Sequence, residues 1–235
     1  MEFSDRSSEE LSPSSTWQKI VDWAQTHYRD RIFRKDEQIP ARPQLIYLVN
    51  QGAVRLVSQT QNYLSESLPA TSSPLKPENS EESESAFLGF VAAGQPFEVV
   101  SQSLFNLQAY AHVDYTQVAW LYWQDLDNWP DFRQAIYENF REQHQRKLLW
   151  LSALGQRRTI DRLTCFLMLL AEEYGQKDQE NQCLPYTLTH AQIGSAIGST
   201  RVTVTRLMGK LRRQGIVSIQ DDNTICINPL KITAN

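Results

Sequence analysis

The sequence predicts an α+β chain in which a β-rich N-terminal half, one long helix and a compact C-terminal helical unit follow one another. Three observations carry this. Strand-like alternation is concentrated between Arg31 and Gln124. Asp131 to Leu154 runs without a Pro or Gly. From Thr189 onward two short amphipathic segments, with glycines at their junction, precede an alternating hairpin. A chain of 235 residues with 41% hydrophobic residues and 10% aromatics is long enough to bury the cores such an arrangement needs.

Residues 1–15 are polar and Ser-rich and read as a disordered tail. They contain no apolar h-region, and no run of 18 apolar residues occurs anywhere, so the expectation is a cytoplasmic protein with no membrane partner. Residues 16–128 read as a β domain introduced by a short helix, Thr16 to Tyr28, with apolar positions at 17, 20, 21, 23 and 24. Ile46–Val49 and Val54–Val57 flank Asn50-Gln51-Gly52-Ala53 and read as a hairpin; Phe87–Val91, Ala109–Val113 and Gln117–Tyr122 read as further strands. Residues 62–86 interrupt them. This stretch is Ser/Pro-rich, carries Glu66, Glu78, Glu81, Glu82 and Glu84 against Lys76 alone, and cannot bury enough surface to order itself, so a mobile acidic loop is expected.

Residues 129–156 are expected to hold a dimerisation helix. Tyr137, Phe140, Leu148, Leu151 and Leu154 fall near heptad spacing, with Gln143, His144 and Lys147 on or near the same stripe. The stretch 131–154 would be roughly 36 Å long, which suits a seam between two copies better than a helix lying on its own barrel. Residues 157–235 form the last unit, opening with an apolar helix, Arg162–Tyr174, and a polar link, Gly175–Leu184. Cys165, Cys183 and Cys226 are not spaced as a metal or redox motif. They read as small buried apolar residues rather than as a disulfide framework or an iron–sulfur site.

Net charge is −4, yet the charge is unevenly spread. Residues 1–154 hold 13 Lys/Arg against 20 Asp/Glu, whereas residues 155–235 hold 10 against 7. The stretch 188–217 carries Arg201, Arg206, Lys210, Arg212 and Arg213 with no acidic residue, the footprint expected for a polyanionic partner. Thr189 and Gln192 form a capping box. Gly194 lies where two helices cross closely, and Gly198 where the turn demands φ > 0. Ile193, Ile197, Val204 and Leu207 supply the apolar faces; Ser199 or Thr200 caps the second helix, and Gly215 closes it. Val217–Ile219 and Thr224–Ile227 then alternate around Asp221-Asp222-Asn223, as the wing of a winged helix–turn–helix does.

In that motif the second helix enters the major groove and its N-terminal side chains reach base edges. Arg201 can donate two hydrogen bonds to guanine O6 and N7, Val202 offers methyls to a thymine methyl, and Thr203 and Arg206 lie on or near the same face. Ser199, Thr200, Thr205, Lys210, Arg212 and Arg213 are the candidate phosphate contacts. The partner these residues predict is double-stranded DNA.

The chain from about residue 31 onward resembles the CRP/FNR family of bacterial transcription regulators, most specifically in Ile197-Gly198-Ser199-Thr200-Arg201-Val202-Thr203-Val204-Thr205-Arg206, which is similar to the recognition helix of the cyanobacterial nitrogen-control (NtcA-type) branch. The resemblance implies a double-stranded β-helix sensor of the cupin-like, cyclic-nucleotide-binding type, a homodimer, RNA polymerase as a further partner, and a GTA-N8-TAC palindrome as target. Gly94 to Ser101 resembles the family's effector-cassette helix, which makes Phe97, Glu98, Val99, Val100 and, from the long helix, Gln143 the candidate effector pocket. The Arg-Ser pair that holds the cyclic phosphate in the cAMP-responsive branch is replaced by Asn106-Leu107, and Leu104–Thr116 contains no Arg or Lys. cAMP is therefore not expected as effector, any small-molecule effector is unidentified, and no cofactor is implied.

Two other function classes fit the residues less well. An enzyme would need a catalytic set, and none of His27, His112, His144 and His190 stands in a Ser, Cys or carboxylate motif; no catalytic or metal site is assigned. An interaction module that has lost DNA binding would not need Arg201 and Arg206.

Overall fold

The computed structural model describes residues 13–40, 42, 44–60, 85–99 and 105–233. The acidic segment expected at 62–86 lies almost wholly outside them; its last two residues begin a strand.

Helix α1 (Pro13–Thr26) opens three residues earlier than its apolar pattern suggests, because Pro13 suits a first helical turn, where no N–H is required. Eight strands follow: β1 (Asp30–Phe33), β2 (Gln38–Ile39), β3 (Leu45–Gln51), β4 (Ala53–Thr60), β5 (Ser85–Ala92), β6 (Pro96–Phe97), β7 (Phe105–Ala111) and β8 (Thr116–Tyr122). They form two antiparallel four-stranded sheets, ordered β1-β8-β3-β6 and β2-β7-β4-β5. One core lies between the sheets, with Phe33, Tyr47, Val49 and Phe97 from the first facing Val54, Val91, Ala109 and Ala111 from the second.

The hairpin expected around Asn50–Ala53 does not form. The turn is present, with Gly52 at φ +80 and no room for a Cβ beside Thr116. The flanking strands do not pair, however: β3 lies between β8 and β6, and β4 lies between β5 and β7. The chain changes sheets at Gly52. The reason is visible in β3, whose residues are buried on both faces: Tyr47 and Val49 point into the sandwich, and Ile46 and Leu48 meet Ile20, Phe132 and Ile136 outside it.

After a 3-10 turn at Trp123–Asn128, helix α2 runs Pro130–Leu154, its first turns sealing the outer face of the first sheet through Phe132 and Ile136. Helix α3 (Thr159–Tyr174) follows. The polar link expected at 175–184 is instead a hairpin, β9 (Gln176–Asp178) and β10 (Asn181–Cys183), turning at Gln179 with φ 54. Its polarity reflects an exposed edge strand, all of β9 being exposed. Helices α4 (His190–Ile197) and α5 (Arg201–Arg213), strands β11 (Val217–Ile219) and β12 (Ile225–Ile227), and the short α6 (Leu230–Thr233) complete the chain. The third sheet is ordered β11-β12-β10-β9, so the wing is extended by the hairpin that precedes the helix pair.

That pairing corrects the reading of the cysteines. Register places Cys183 opposite Cys226 with Cα atoms 3.9 Å apart, and the two are disulfide-bonded; Cys165 is the free one. A sequence separation of 43 gave no hint, since only the strand order brings the two together.

Candidate nucleic-acid interface

The helix pair is built as its local chemistry requires. Thr189 Oγ1 accepts from Gln192 N at 3.1 Å, and Gln192 Oε1 accepts from Thr189 N at 2.9 Å, closing the capping box that starts α4. Gly198 ends the helix in the left-handed region at φ 63, ψ 51. The chain then folds back so tightly that Ser199 N donates to Gly194 O at 2.8 Å, and a Cβ on Gly194 would lie 2.8 Å from Ser199 O. Gly194 thus makes room both for the turn and for the start of α5, since a Cβ there would also lie 3.3 Å from Thr200 C and 3.4 Å from Arg201 N. Thr200 is the cap of α5, its Oγ1 accepting from Thr203 N at 3.2 Å.

On α5, Val204, Leu207, Met208 and Leu211 are buried at helical spacing, against Ile193, Ile197 and the wing residues Val217, Ile225 and Ile227. Turning that face inward turns Val202, Arg206 and Arg213 outward, with Arg201, Thr205 and Arg212 on one flank and Lys210 on the other. Val202 is 79% exposed, so its methyls are open to contact from outside the chain. Arg201, Arg206, Lys210, Arg212 and Arg213 are exposed, and among the described residues none has an ion-pair partner.

The threonines divide by role. Thr203 is half-buried and its hydroxyl meets that of Thr200 at 3.0 Å. Thr205 Oγ1 donates to Arg201 O at 2.9 Å and lies 2.8 Å from His190 Nδ1, so its hydroxyl is engaged in joining α4 to α5. Partial burial, and then the nearby Arg201 guanidinium, hold the His190 pKa below the usual imidazole value. A histidine at this joint was not marked by sequence as an interface residue. Its i+15 spacing to Thr205 carries no periodic signal.

The candidate effector residues are placed unevenly. Phe97 stacks on Tyr47 with centroids 5.0 Å apart and belongs to the core. Gln143 Nε2 donates to Pro96 O at 2.9 Å, so its amide ties α2 to β6. Glu98 and Val99 do line a cavity of about 400 Å³, together with Leu56, Lys147, Trp150 and Leu151. Val100 lies outside the described residues. The expected cassette helix is corrected: Pro96–Phe97 is a strand paired with β3, and Glu98 and Val99 are not helical. Pro96 helps explain this, because its ring fixes a strand-edge conformation and removes a donor. Lys147, which sequence placed only on a helix stripe, and Trp150, which sequence did not single out, are cavity residues.

Two other histidines contact backbone carbonyls. His27 Nδ1 contacts Trp23 O at 2.8 Å, and His112, 3% exposed, places Nε2 at 2.8 Å from Thr187 O. Among the described residues no group of three or more His, Cys, Asp or Glu converges as a metal site, and no helix is long and apolar enough to cross a membrane.

Comparison with known proteins agrees with this geometry. Residues 161–231 match the Crp-like helix-turn-helix domain. The global nitrogen regulator of Synechocystis sp. is 31% identical over 110 residues, covering 47% of this chain and 49% of that protein. That of Synechococcus elongatus is 29% identical over 104 residues, covering 44% and 47%. The chain spans about half the length of the curated relatives it matches. Among solved structures, FixK2 from Bradyrhizobium japonicum aligns at TM-score 0.63 and 20% identity, covering 88% of this chain and 95% of that one. A CRP/FNR-family transcriptional regulator from Thermus thermophilus aligns at TM-score 0.57 and 22% identity, covering 87% and 96%. Residues 161–231 thus resemble a Crp-like helix–turn–helix domain, and the chain shares its fold with a CRP/FNR-family transcriptional regulator.

Proposed function

We propose that the protein is a sequence-specific, double-stranded-DNA-binding transcription regulator that acts as a homodimer on a GTA-N8-TAC palindrome. The observation that carries this reading is the outward face of α5, where an exposed Val202 stands among five cations that lack ion-pair partners within the described chain. Arg201, Val202, Thr203 and Arg206 read bases; Ser199, Thr200, Lys210, Arg212 and Arg213 meet phosphates, with Thr205 holding the frame from which Arg201 projects. Tyr137, Leu148, Leu149 and Leu151 of α2 are each more than half exposed, which supports the dimer seam. RNA polymerase, a cytoplasmic location and an effector other than cAMP in the cavity beside Glu98, Val99 and Lys147 complete the proposal. Fluorescence anisotropy with a labelled GTA-N8-TAC duplex, against a scrambled duplex at the same salt concentration, tests it. Preferential binding of the palindrome at two protomers per duplex is expected, and equal affinity for both duplexes contradicts it.

A further inference from the structure

The disulfide between Cys183 and Cys226 closes a covalent ring around the helix–turn–helix. Cys183 ends β10, just before α4, and Cys226 lies in the middle of β12, after α5 and the first wing strand. The intervening chain therefore contains both helices, β11 and every residue proposed to touch DNA. Without the bond, the junction is slight. β10 pairs with β12 at two register positions, each strand of the sheet is three residues long, and β9 at its edge is exposed throughout. Two further links cross there: Leu184 N donates to Ile225 O at 2.9 Å, and Gln220 Nε2 donates to Asp178 Oδ2 at 3.4 Å while lying 3.8 Å from Cys183 Sγ. On its other side β12 supports the reading helix, since Ile225 and Ile227 share a core with Leu207, Leu211 and Ile216. Short, edge-exposed sheets of this kind open locally, and the bond ties the one that braces α5.

We propose that the Cys183–Cys226 pair is a reversible redox element that braces the DNA-reading helices: formed, the bond holds the wing sheet and α5 in place; reduced, it lets them loosen. A dithiol reductant attacks Cys183, the more exposed partner at 8% against 2% for Cys226. A mixed disulfide forms at Cys183, and Cys226 leaves as a thiolate that takes a proton. The second thiol of the reductant then displaces Cys183, which is protonated in turn. Two electrons and two protons pass to the protein, and the reductant becomes a disulfide. A small disulfide such as glutathione disulfide reverses the process. Cys165 stands apart on α3, where burial and then Asp161 raise its thiol pKa and keep it a poor nucleophile. The bonded form is already ordered for docking, so reduction is expected to weaken DNA binding by about tenfold. This affinity effect rests on the DNA-binding reading above; the bracing itself does not.

The test uses the full chain in three states: oxidised with glutathione disulfide, reduced with dithiothreitol, and as the Cys183→Ser/Cys226→Ser variant. Denaturing alkylation with iodoacetamide should add one adduct to the oxidised chain and three to the reduced one; three adducts on the oxidised chain would overturn the proposal. On the GTA-N8-TAC duplex the oxidised form should bind about tenfold more tightly than the reduced form, re-oxidation should restore affinity, and the double variant should match the reduced form under either buffer. Equal affinity of the two redox forms for a duplex they bind overturns it. Should neither form bind any duplex, it is the DNA-binding reading that fails, and hydrogen exchange decides the bracing. Faster exchange across residues 176–227 in the reduced chain supports it, and identical exchange overturns it.

Discussion

Val202 and Arg201 are neighbours in sequence with opposite chemistry, and both stand in solvent at the start of α5. An Arg that reads guanine gains about 1–3 kcal/mol per contact, so Arg201→Ala in a dimer with two independent half-sites should cost roughly 2–6 kcal/mol and relax specificity at that guanine. Arg212 lies on the flank of the same helix and should behave differently. Its loss should weaken all duplexes alike and lower the salt dependence of binding by about one per phosphate contact. Titrations of both variants against cognate and scrambled duplexes at several salt concentrations separate the two roles. Val202→Glu should move the preference from GTA toward GTG, since a carboxylate accepts from cytosine N4 and has no use for a thymine methyl. If wild type and Val202→Glu rank paired duplexes identically, residue 202 does not face the bases.

At the scale of the element, α2 does two jobs along its length. Its first turns bury Phe132 and Ile136 against the first sheet, whereas Tyr137, Leu148, Leu149 and Leu151 remain exposed. Leucines left this exposed on one helix are what the proposed two-stranded seam needs. Replacing Leu148 and Leu151 with Glu should convert a dimer to a monomer at micromolar concentration in sedimentation, with the helical circular-dichroism signal retained. Unchanged sedimentation would place the seam elsewhere. Of the expected stripe Tyr137, Leu148 and Leu151 are exposed, whereas Phe140 and Leu154 are partly buried against the cores and the exposed Leu149 was not marked. The capping box and the left-handed Gly198 were legible in sequence, because each depends on contacts within one or two turns. The hairpin β9–β10 was not legible, since its two short polar strands gain order only by adding to the edge of the wing.

At the scale of the whole molecule, the β domain and the helix–turn–helix share a core. Phe87 and Phe90 of β5 pack with Phe166, Leu170, Leu188 and Ile193. Ser195 of α4 donates to Ser85 O at 2.7 Å and accepts from Phe87 N at 2.9 Å. His112 sits in this seam against Phe90, its ring near Thr187 O; burial foremost, opposed by Thr187 O and Asp36 and aided by Arg55 and Lys35, brings its pKa down to about 4. Between about pH 4 and the ordinary histidine value of about 6.5, the unfolded chain binds this proton and the folded chain does not. The contribution of His112 is therefore complete above pH 6.5 and falls as pH drops toward 4, by at most about 3 kcal/mol. Thermal denaturation from pH 4 to 7 should show wild type losing more stability on acidification than His112→Gln, and parallel pH profiles would contradict this.

Sequence by itself determined the pieces whose causes are local. The period of the strands, the uninterrupted helix 131–154, the caps and glycines of the helix pair and the basic, acid-free face of α5 all follow from residues a few positions apart. Only the tertiary structure decided which strands pair across Gly52, that Gln143 is spent on Pro96, that Lys147 and Trp150 line a cavity with Glu98, and that Cys183 meets Cys226. Each of these joins residues from different elements: burial of both faces of β3 selects the first, satisfaction of a backbone carbonyl the second, helix-on-sheet packing the third and strand order the last. Such choices are made by the competition of all possible partners in the folded chain, and no local pattern records the outcome.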